Sequence, residues 1–398
     1  MGIKALRKIQ IGEETGGKGT AVPTTAALAG VLTLKSSPTI HRPVEERGNF
    51  AEFSRSVRVA NLAELTFEGD ATFEQILYWL HMGILGAGSP VSGNANKIWT
   101  FTPAMTAAGT FDSFTIEYGD DIEQWETEYC LARKIEISGA MNEAVKVRVD
   151  IFGRKMTVCD FTGELVPPTL ESAITQKARV YIDNDGVIGT TEKSDMLISF
   201  TYTITTGLEP KRYGDGSLDF SGYTEKVKGV ELKATFAFNA NAEAERLLFN
   251  GETLRLVRIE IEGSTIAADA ASGSALTAIL TAGATTAAVT SGADFVVGET
   301  IEIEDEHLRV TAINANNLTV IRGVYGTTAV EHASTTTIDI VNERRLTLDM
   351  SGIYTDFATL SERDGEDVVE VTLSPQRGLV TYKTLFEVAV ANDVASLP

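Results

Sequence analysis

The chain has 398 residues and 43% hydrophobic content, which excludes wholesale disorder and leaves room for two or three domains, each with its own core. Its formal charge of −21 excludes a surface that grips nucleic acid through its phosphates, because such binding relies on Lys and Arg displacing counterions. No apolar run approaches the ~20 residues that cross a bilayer, and two cysteines, Cys130 and Cys159, make no disulfide framework.

Both thiols read as buried and free, in a protein made in a reducing compartment. Met1-Gly-Ile-Lys-Ala-Leu-Arg-Lys8 is basic but has no apolar stretch after it, so no signal peptide is expected, and Leu6 breaks a myristoylation motif. Residues 1–30 read as an extended arm: Gly and Thr are frequent, and Pro23 blocks a helix. Within it, Gly12-Glu-Glu-Thr-Gly-Gly-Lys18-Gly19 approaches a phosphate-binding loop. Its last position is Gly19, so the hydroxyl that holds magnesium is missing, and no apolar strand precedes it. A turn-rich arm is the better reading.

From Val31 one pattern runs twice. The first pass is the strand Val31–Leu34, a long charged loop Lys35–Asn61, the strand Ala63–Phe67 and a helix over Asp70–Leu80. The second is Ile198–Ile204, the loop Thr205–Gly229, Val230–Phe238 and a helix over Asn239–Phe249. Thr66-Phe67 and Glu74 align with Thr235-Phe236 and Glu243 at one offset. Asp70 is the expected cap of the first helix, whose apolar stripe is Phe73, Ile76, Leu77 and Leu80. Asn239 or Asn241 caps the second, which Leu247, Leu248 and Phe249 end.

Strands are also expected over Lys97–Thr102, Ser113–Tyr118, Trp125–Ser138 and Ala144–Phe152. The last has strict period two and hence one wet face, with a hairpin connection at Ser138–Asn142. Gly163–Leu170, with Pro167-Pro168, reads as a linker. At Ile266 the composition shifts to Ala, Ser and Gly. Six short strands follow: Leu276–Leu280, Ala287–Thr290, Thr300–Ile303, Leu308–Ile313, Asn317–Ile321 and Thr337–Val341. Residues 266–342 form a compact all-β insert of net charge −7, after which Leu346–Met350, Val368–Leu373 and Lys383–Val390 resume the interrupted pattern.

No constellation carries chemistry. His41, His81, His307 and His332 are scattered, so no zinc site is expected. Glu302-Ile-Glu304-Asp305-Glu306 lacks the spaced ligands of a calcium loop and reads as a solvated hairpin tip. With no nucleophile motif and no singled-out carboxylate pair, neither an enzyme, a metal nor a cofactor is expected.

The opening Ile11-Gly12-Glu13-Glu14-Thr15…Gly19-Thr20 and the doubled loop–strand–helix order resemble the tail tube (major tail) proteins of long-tailed bacteriophages, over residues 1–265 and 343–398. The insert, with Arg322-Gly323-Val-Tyr-Gly326-Thr327…His332, resembles a small β-module of phage virion proteins; Arg322 and His332 read there as local turn stabilisers. The resemblance implies a mainly β fold of two tandem β-sandwich or barrel units, each with a short flanking helix. The expected domains are an arm at 1–30, units at 31–165 and at 171–265 with 343–398, and the insert at 266–342. It implies a virion protein, assembled in the host cytoplasm, whose rings stack into the tail tube. Its partners would be itself, the tape measure inside, the terminator and tip at the ends, and double-stranded DNA passing unbound. A capsid-decoration or neck protein, or a module binding host-surface glycan, is the alternative.

If six β-units complete a ring, a duplicated chain needs three copies, a pseudo-hexamer with paired sheet edges. The long loops, carrying Arg42, Glu45, Glu46, Arg47, Arg55 and Arg58 in one and Lys211, Arg212 and Asp215 in the other, are expected to set ring stacking, with the arm ordering on assembly. Leu65, Phe67, Leu232 and Phe236 should pack on the helices. Alternation then sends Glu64, Thr66, Glu68, Glu231, Lys233 and Thr235 to the opposite face, an acidic lining for the bore. The insert belongs outside it.

Overall fold

Apolar residues at every second position bury one face of a strand and wet the other. The computed structural model, which describes residues 4–15, 18–48, 50–85, 90–92, 95–163, 165–184, 186–363, 365–378 and 384–397, is accordingly mainly β. The first half carries β1 (Lys8–Glu13), β2 (Val31–Ser36), β3 (Ala63–Asp70), α1 (Ile76–Gly83), β4 (Phe114–Gly119), β5 (Gln124–Ala140), β6 (Lys146–Gly153) and β7 (Met156–Cys159). The second carries β8 (Ala178–Asp183), β9 (Leu197–Thr205), β10 (Gly229–Ala237), α2 (Ala240–Asn250), β11 (Arg255–Thr265), β12 (Glu343–Phe357), β13 (Ser361–Arg363), β14 (Glu366–Pro375) and β15 (Phe386–Asn392).

The pairings repeat with the sequence. β1 lies antiparallel to β4, β2 to β3, β3 to β6, β6 to β5, and β5 to both β4 and β7. Likewise β8 pairs with β11, β9 with β10, β10 with β14, β14 with β12, and β12 with both β11 and β15. Phe67 stands opposite Val149 in one unit, and Phe236 opposite Val369 in the other. The units fuse where β9 pairs with the second half of β5, and again where the first-unit strand Lys97–Phe101 pairs with β15. One antiparallel sheet therefore runs β2–β3–β6–β5–β9–β10–β14 and ends in β13 and the tail of β12.

One face of this sheet is the main core, built from residues such as Leu65, Phe67, Val149, Ile137, Tyr202, Leu232 and Phe236. Phe67 stacks obliquely on Trp79 of α1, with ring centroids 4.4 Å apart. Ile9, Ile116, Ile259, Leu348 and Val388 close the same core from a second layer. That layer comprises β1, β4, β8, β11, β15 and the first halves of β5 and β12. In β5 the change of layer coincides with register shifts and with Tyr129 in the left-handed region at φ 54°.

Several expectations are corrected. Asp70 does not cap α1; it ends β3 and pairs with Lys146 at 2.9 Å, while Thr72 Oγ1 accepts from the Gln75 N–H ahead of the helix. Nor does α1 merely flank the sheet: Ile76-Leu-Tyr-Trp-Leu-His-Met-Gly83 is buried all round, as a helix apolar on nearly every side must be. Asn239 does cap α2, but Leu247 there is exposed and the buried face is Ala242 and Glu245. Part of the arm is already sheet, because Ile9 and Ile11 of β1 enter the core. Gly163 and residues 165–170 are irregular, as a linker should be. The opening Met1–Ile3, Gly16, Gly17 and the expected strand start at Lys383 lie outside the described residues.

The insert has its own six-stranded sheet, in the order Ala270–Ala275, Thr337–Ile340, Thr300–Ile303, Glu306–Asn314, Asn317–Ile321, Thr286–Ala288. Its core is separate, with Leu280, Phe295, Ile301, Leu308 and Val320. The expected strand Leu276–Leu280 is instead a turn-rich passage with single bridges at its ends, since the edge is taken by Ala270–Ala275. The chain leaves at the end of β11 and returns at β12, neighbours in which Thr265 faces Glu343. Ile259 and Ile261 of β11 point to the main core, whereas Glu260 between them meets Arg309 of the insert. The insert thus sits on the outer side of the second layer, opposite the polar face of the long sheet.

Candidate assembly surfaces

Period-two alternation along five neighbouring strands, β3, β6, β5, β9 and β10, builds the polar face. Glu64, Thr66 and Glu68 of β3 and Glu231, Lys233 and Thr235 of β10 are all there, half-buried to exposed, as expected from sequence. Their surroundings were not foreseen. Glu68 binds Arg148 at 2.6 Å, Asp70 binds Lys146 at 2.9 Å, Glu136 binds Lys134 at 2.7 Å and Glu231 binds Lys233 at 3.1 Å. Thr66 donates to Asp150, Ser37 to Glu64 and Ser199 to Thr235. The face is a lattice of ion pairs, not a bare row of carboxylates: β6 supplies Arg148 and Lys146 opposite the acids of β3, and β5 and β10 each carry a lysine two residues from their own glutamate.

Both long loops are hairpins, not unstructured segments: Thr39–His41 pairs with Val57–Ala60, and Leu208–Lys211 with Gly222–Glu225. They differ in what they touch. The second hairpin folds back on the first unit, where Leu208 and Phe220 are buried with Phe111, Tyr129, Leu131 and Phe152. Arg212 donates to the Asn61 carbonyl at 2.7 Å, and the Asn61 N–H donates to the Leu218 carbonyl. Lys211 lies over the Tyr213 ring, and Asp215 accepts from Ser217 N–H and Ser221 Oγ.

The first hairpin projects. Val44, Phe50, Val57 and Val59 are exposed on it. Glu45 gathers Arg47 and Arg55 at 2.6 and 2.7 Å, Arg42 lies over Phe53, Arg58 reaches Asn61, and Glu46 is exposed. The hairpin thus combines its charges with an exposed apolar surface.

In the insert, the hub is a residue that sequence reading left at a solvated tip. Glu306 is buried and accepts from Arg322 Nε and Nη2 at 2.6 and 2.7 Å, from Gly323 and Val330 N–H at 3.1 Å, and lies 2.8 Å from His332 Nε2. The other nitrogen of buried His332 lies 2.8 Å from Glu304. Burial pushes Glu306 up, but Arg322 and His332 outweigh it and hold it below the ordinary carboxylate range. Arg322 also donates to the carbonyls of Thr281, Ala284 and Val330. Gly323 and Gly326 have φ of 63° and 75°, and Thr327 Oγ1 donates to the Val324 carbonyl, so the signature stabilises a turn.

A second ion cluster bolts the insert to the body. Arg309 grips Glu260 at 3.0 and 3.2 Å and donates to Tyr325 at 2.6 Å, and Arg345 donates to Thr300 and to the Gly298 carbonyl. Burial opposes ionisation of Glu260, yet Arg309, Arg345 and Arg258 hold it down at about 2. In the arm, Glu14 is buried and accepts from Gly19 N–H at 2.6 Å, Ser113 at 2.5 Å and Tyr129 N–H at 2.7 Å. The loop that approached a phosphate motif thus wraps the chain's own carboxylate. Among the described residues, no group of three or more His, Cys, Asp and Glu could hold a metal ion. No protein-family model matches the chain, and no curated protein is similar to it.

Proposed function

We propose that the protein is a structural subunit that polymerises as stacked rings into the tail tube of a long-tailed bacteriophage, three two-unit chains to a ring. The observation that carries this reading is one fold repeated twice, edge to edge, in a single sheet whose two outer edges are unpaired strands among the described residues. A sheet that already continues from unit to unit within a chain is suited to continue between chains, where edges otherwise invite uncontrolled pairing.

The polar face of that sheet would line the bore. Its paired charges offer phosphates neither a basic grip nor a dense negative wall, so a duplex would slide without specific binding. The insert, on the other side of the molecule, would stand outside. The exposed hairpin 39–60 would reach the neighbouring ring or subunit. Negative-stain microscopy of the purified protein tests the reading: hollow tubes or stacked rings are expected, and discrete particles at every concentration would overturn it.

A further inference from the structure

From the internal repeat we infer which edges join one chain to the next, and in which register; the inference rests on the assembly reading above. Within the chain, β9 of the second unit adds to β5 of the first, with Ser138 opposite Thr201 and Ile137 opposite Tyr202. The repeat supplies the counterparts of all four residues. Through β6 and β14, Ile137 and Ser138 correspond to Glu362 and Arg363 of β13, which face Asp367 and Glu366 as Ile137 and Ser138 face Val147 and Lys146. Through β3 and β10, Thr201 and Tyr202 correspond to Lys35 and Ser36 of β2, which face Glu64 and Ala63 as their counterparts face Lys233 and Leu232.

Among the described residues, β2 pairs only with β3 and β13 only with β14. The junction that β5 and β9 fill by strand pairing inside the chain is therefore open at both ends of it. A second copy completes it: β2 of one chain adds antiparallel to β13 of another, with Ser36 opposite Glu362 and Lys35 opposite Arg363. In this register Lys35 and Arg363 meet as like charges, a repulsion that Glu64 and Glu366, each opposite one of them on its own ladder, offset in the row acid, base, base, acid.

The residue just past β9 gives a second, independent observation. Thr206 donates from its backbone N–H and Oγ1 to the Arg133 carbonyl and from Oγ1 to the Ala132 carbonyl, and its methyl lies against Gly83 at the end of α1. The counterpart of Ala132 is Phe357, since each faces a matching position, Ile151 or Val371. At Phe357 an open hollow lies beside the end of α2, its apolar part made by Phe238, Phe249, Phe357, Leu360 and Val369 and its polar rim by Glu243, Arg246, Asn250 and Thr359. Counting on past the end of β2, where Thr39 faces Ala60 as Thr205 faces Gly229, the counterpart of Thr206 is Ile40. Ile40 is 48% exposed and Leu360 51%. Ile40 of the next chain fills that hollow, and hairpin 39–60 takes on the neighbour the seat that hairpin 208–225 takes on its own first unit.

The test is a cysteine pair, Ser36→Cys with Glu362→Cys, in a Cys159→Ser background, oxidised mildly and resolved without reductant. Intermolecular disulfides up to a closed ring are expected, and the register-shifted pair Thr33→Cys with Glu362→Cys should give none. Ile40→Asp, on an exposed hairpin, should leave the melting temperature of the monomer unchanged while cutting cross-linking at least tenfold. Tubes without the cross-link overturn the edge register and leave the tube reading standing. Cross-linked rings that never stack do the reverse. A protein that stays monomeric throughout overturns both, and cross-linking unaffected by Ile40→Asp overturns the docking of Ile40.

Discussion

Glu306 shows how much one buried carboxylate can organise. It is held by a bidentate arginine, two backbone N–H groups and a histidine, so removing Arg322 leaves a buried charge without its main partner. Arg322→Ala should cost the insert about 3–5 kcal/mol in thermal unfolding, and Arg322→Lys should recover little, because lysine lacks the planar fork. The pH dependence has a definite sign. Glu306 is held below its ordinary value, so its contribution is complete above the unfolded carboxylate range and is lost as pH falls through the lower folded value. Glu387 behaves oppositely. Burial, reinforced by Asp349 and partly offset by Arg258, pushes it up to about 7. Its penalty therefore grows as pH rises from the unfolded value toward 7. Glu387→Gln should raise stability at pH 8 by on the order of 2 kcal/mol and change little at pH 5, as melting curves at the two pH values would register.

At the scale of elements, the two helices occupy matching places and are held by different means. α2 is amphipathic and capped: Asn239 Oδ1 accepts from the N–H groups of Asn241 and Ala242 at 2.9 and 3.1 Å. Asn239→Ala should cost about 1 kcal/mol in urea unfolding. α1 has no side-chain cap and is held by burial on every side. Asp70→Ala should therefore leave α1 intact and lose an exposed pair with Lys146 and a long hydrogen bond from Ser172, together worth less than about 1 kcal/mol. Equal losses in the two variants would contradict this assignment. The hairpins divide similarly: the one at 208–225 is fixed by Leu208 and Phe220 in a buried aromatic cluster, and the one at 39–60 shows its apolar residues to solvent.

For the whole molecule, the contrast between the hairpins predicts what each is for. Deleting 44–56 removes Val44, Phe50 and the Glu45 ion pairs, none of which belongs to the three buried clusters. The deletion should leave a folded, soluble chain with an unchanged melting temperature that no longer forms tubes in negative stain. Normal tubes would show that the hairpin takes no part in stacking.

Local alternation determined much of this protein. Many of the strands, the doubled order from Val31 to Phe249, the shift in composition that opens the insert and the polar side of β3 and β10 are legible as period two, period 3.6 and changes in composition. Those signals depend only on near neighbours along the chain. What tertiary structure decided is who stands opposite whom. Lys8–Glu13 offers two isoleucines and no sign that its partner is Phe114–Gly119, a hundred residues on. Glu306 reads as one acid among four until Arg322 and His332 fold around it, and Glu14 as part of a loop until Ser113 and Tyr129 arrive. Glu68 reads as a lining carboxylate until β6 sets Arg148 beside it. Burial and ion pairing are properties of juxtaposed segments, and in an antiparallel sheet built from strands far apart in sequence, only the folded chain sets that juxtaposition.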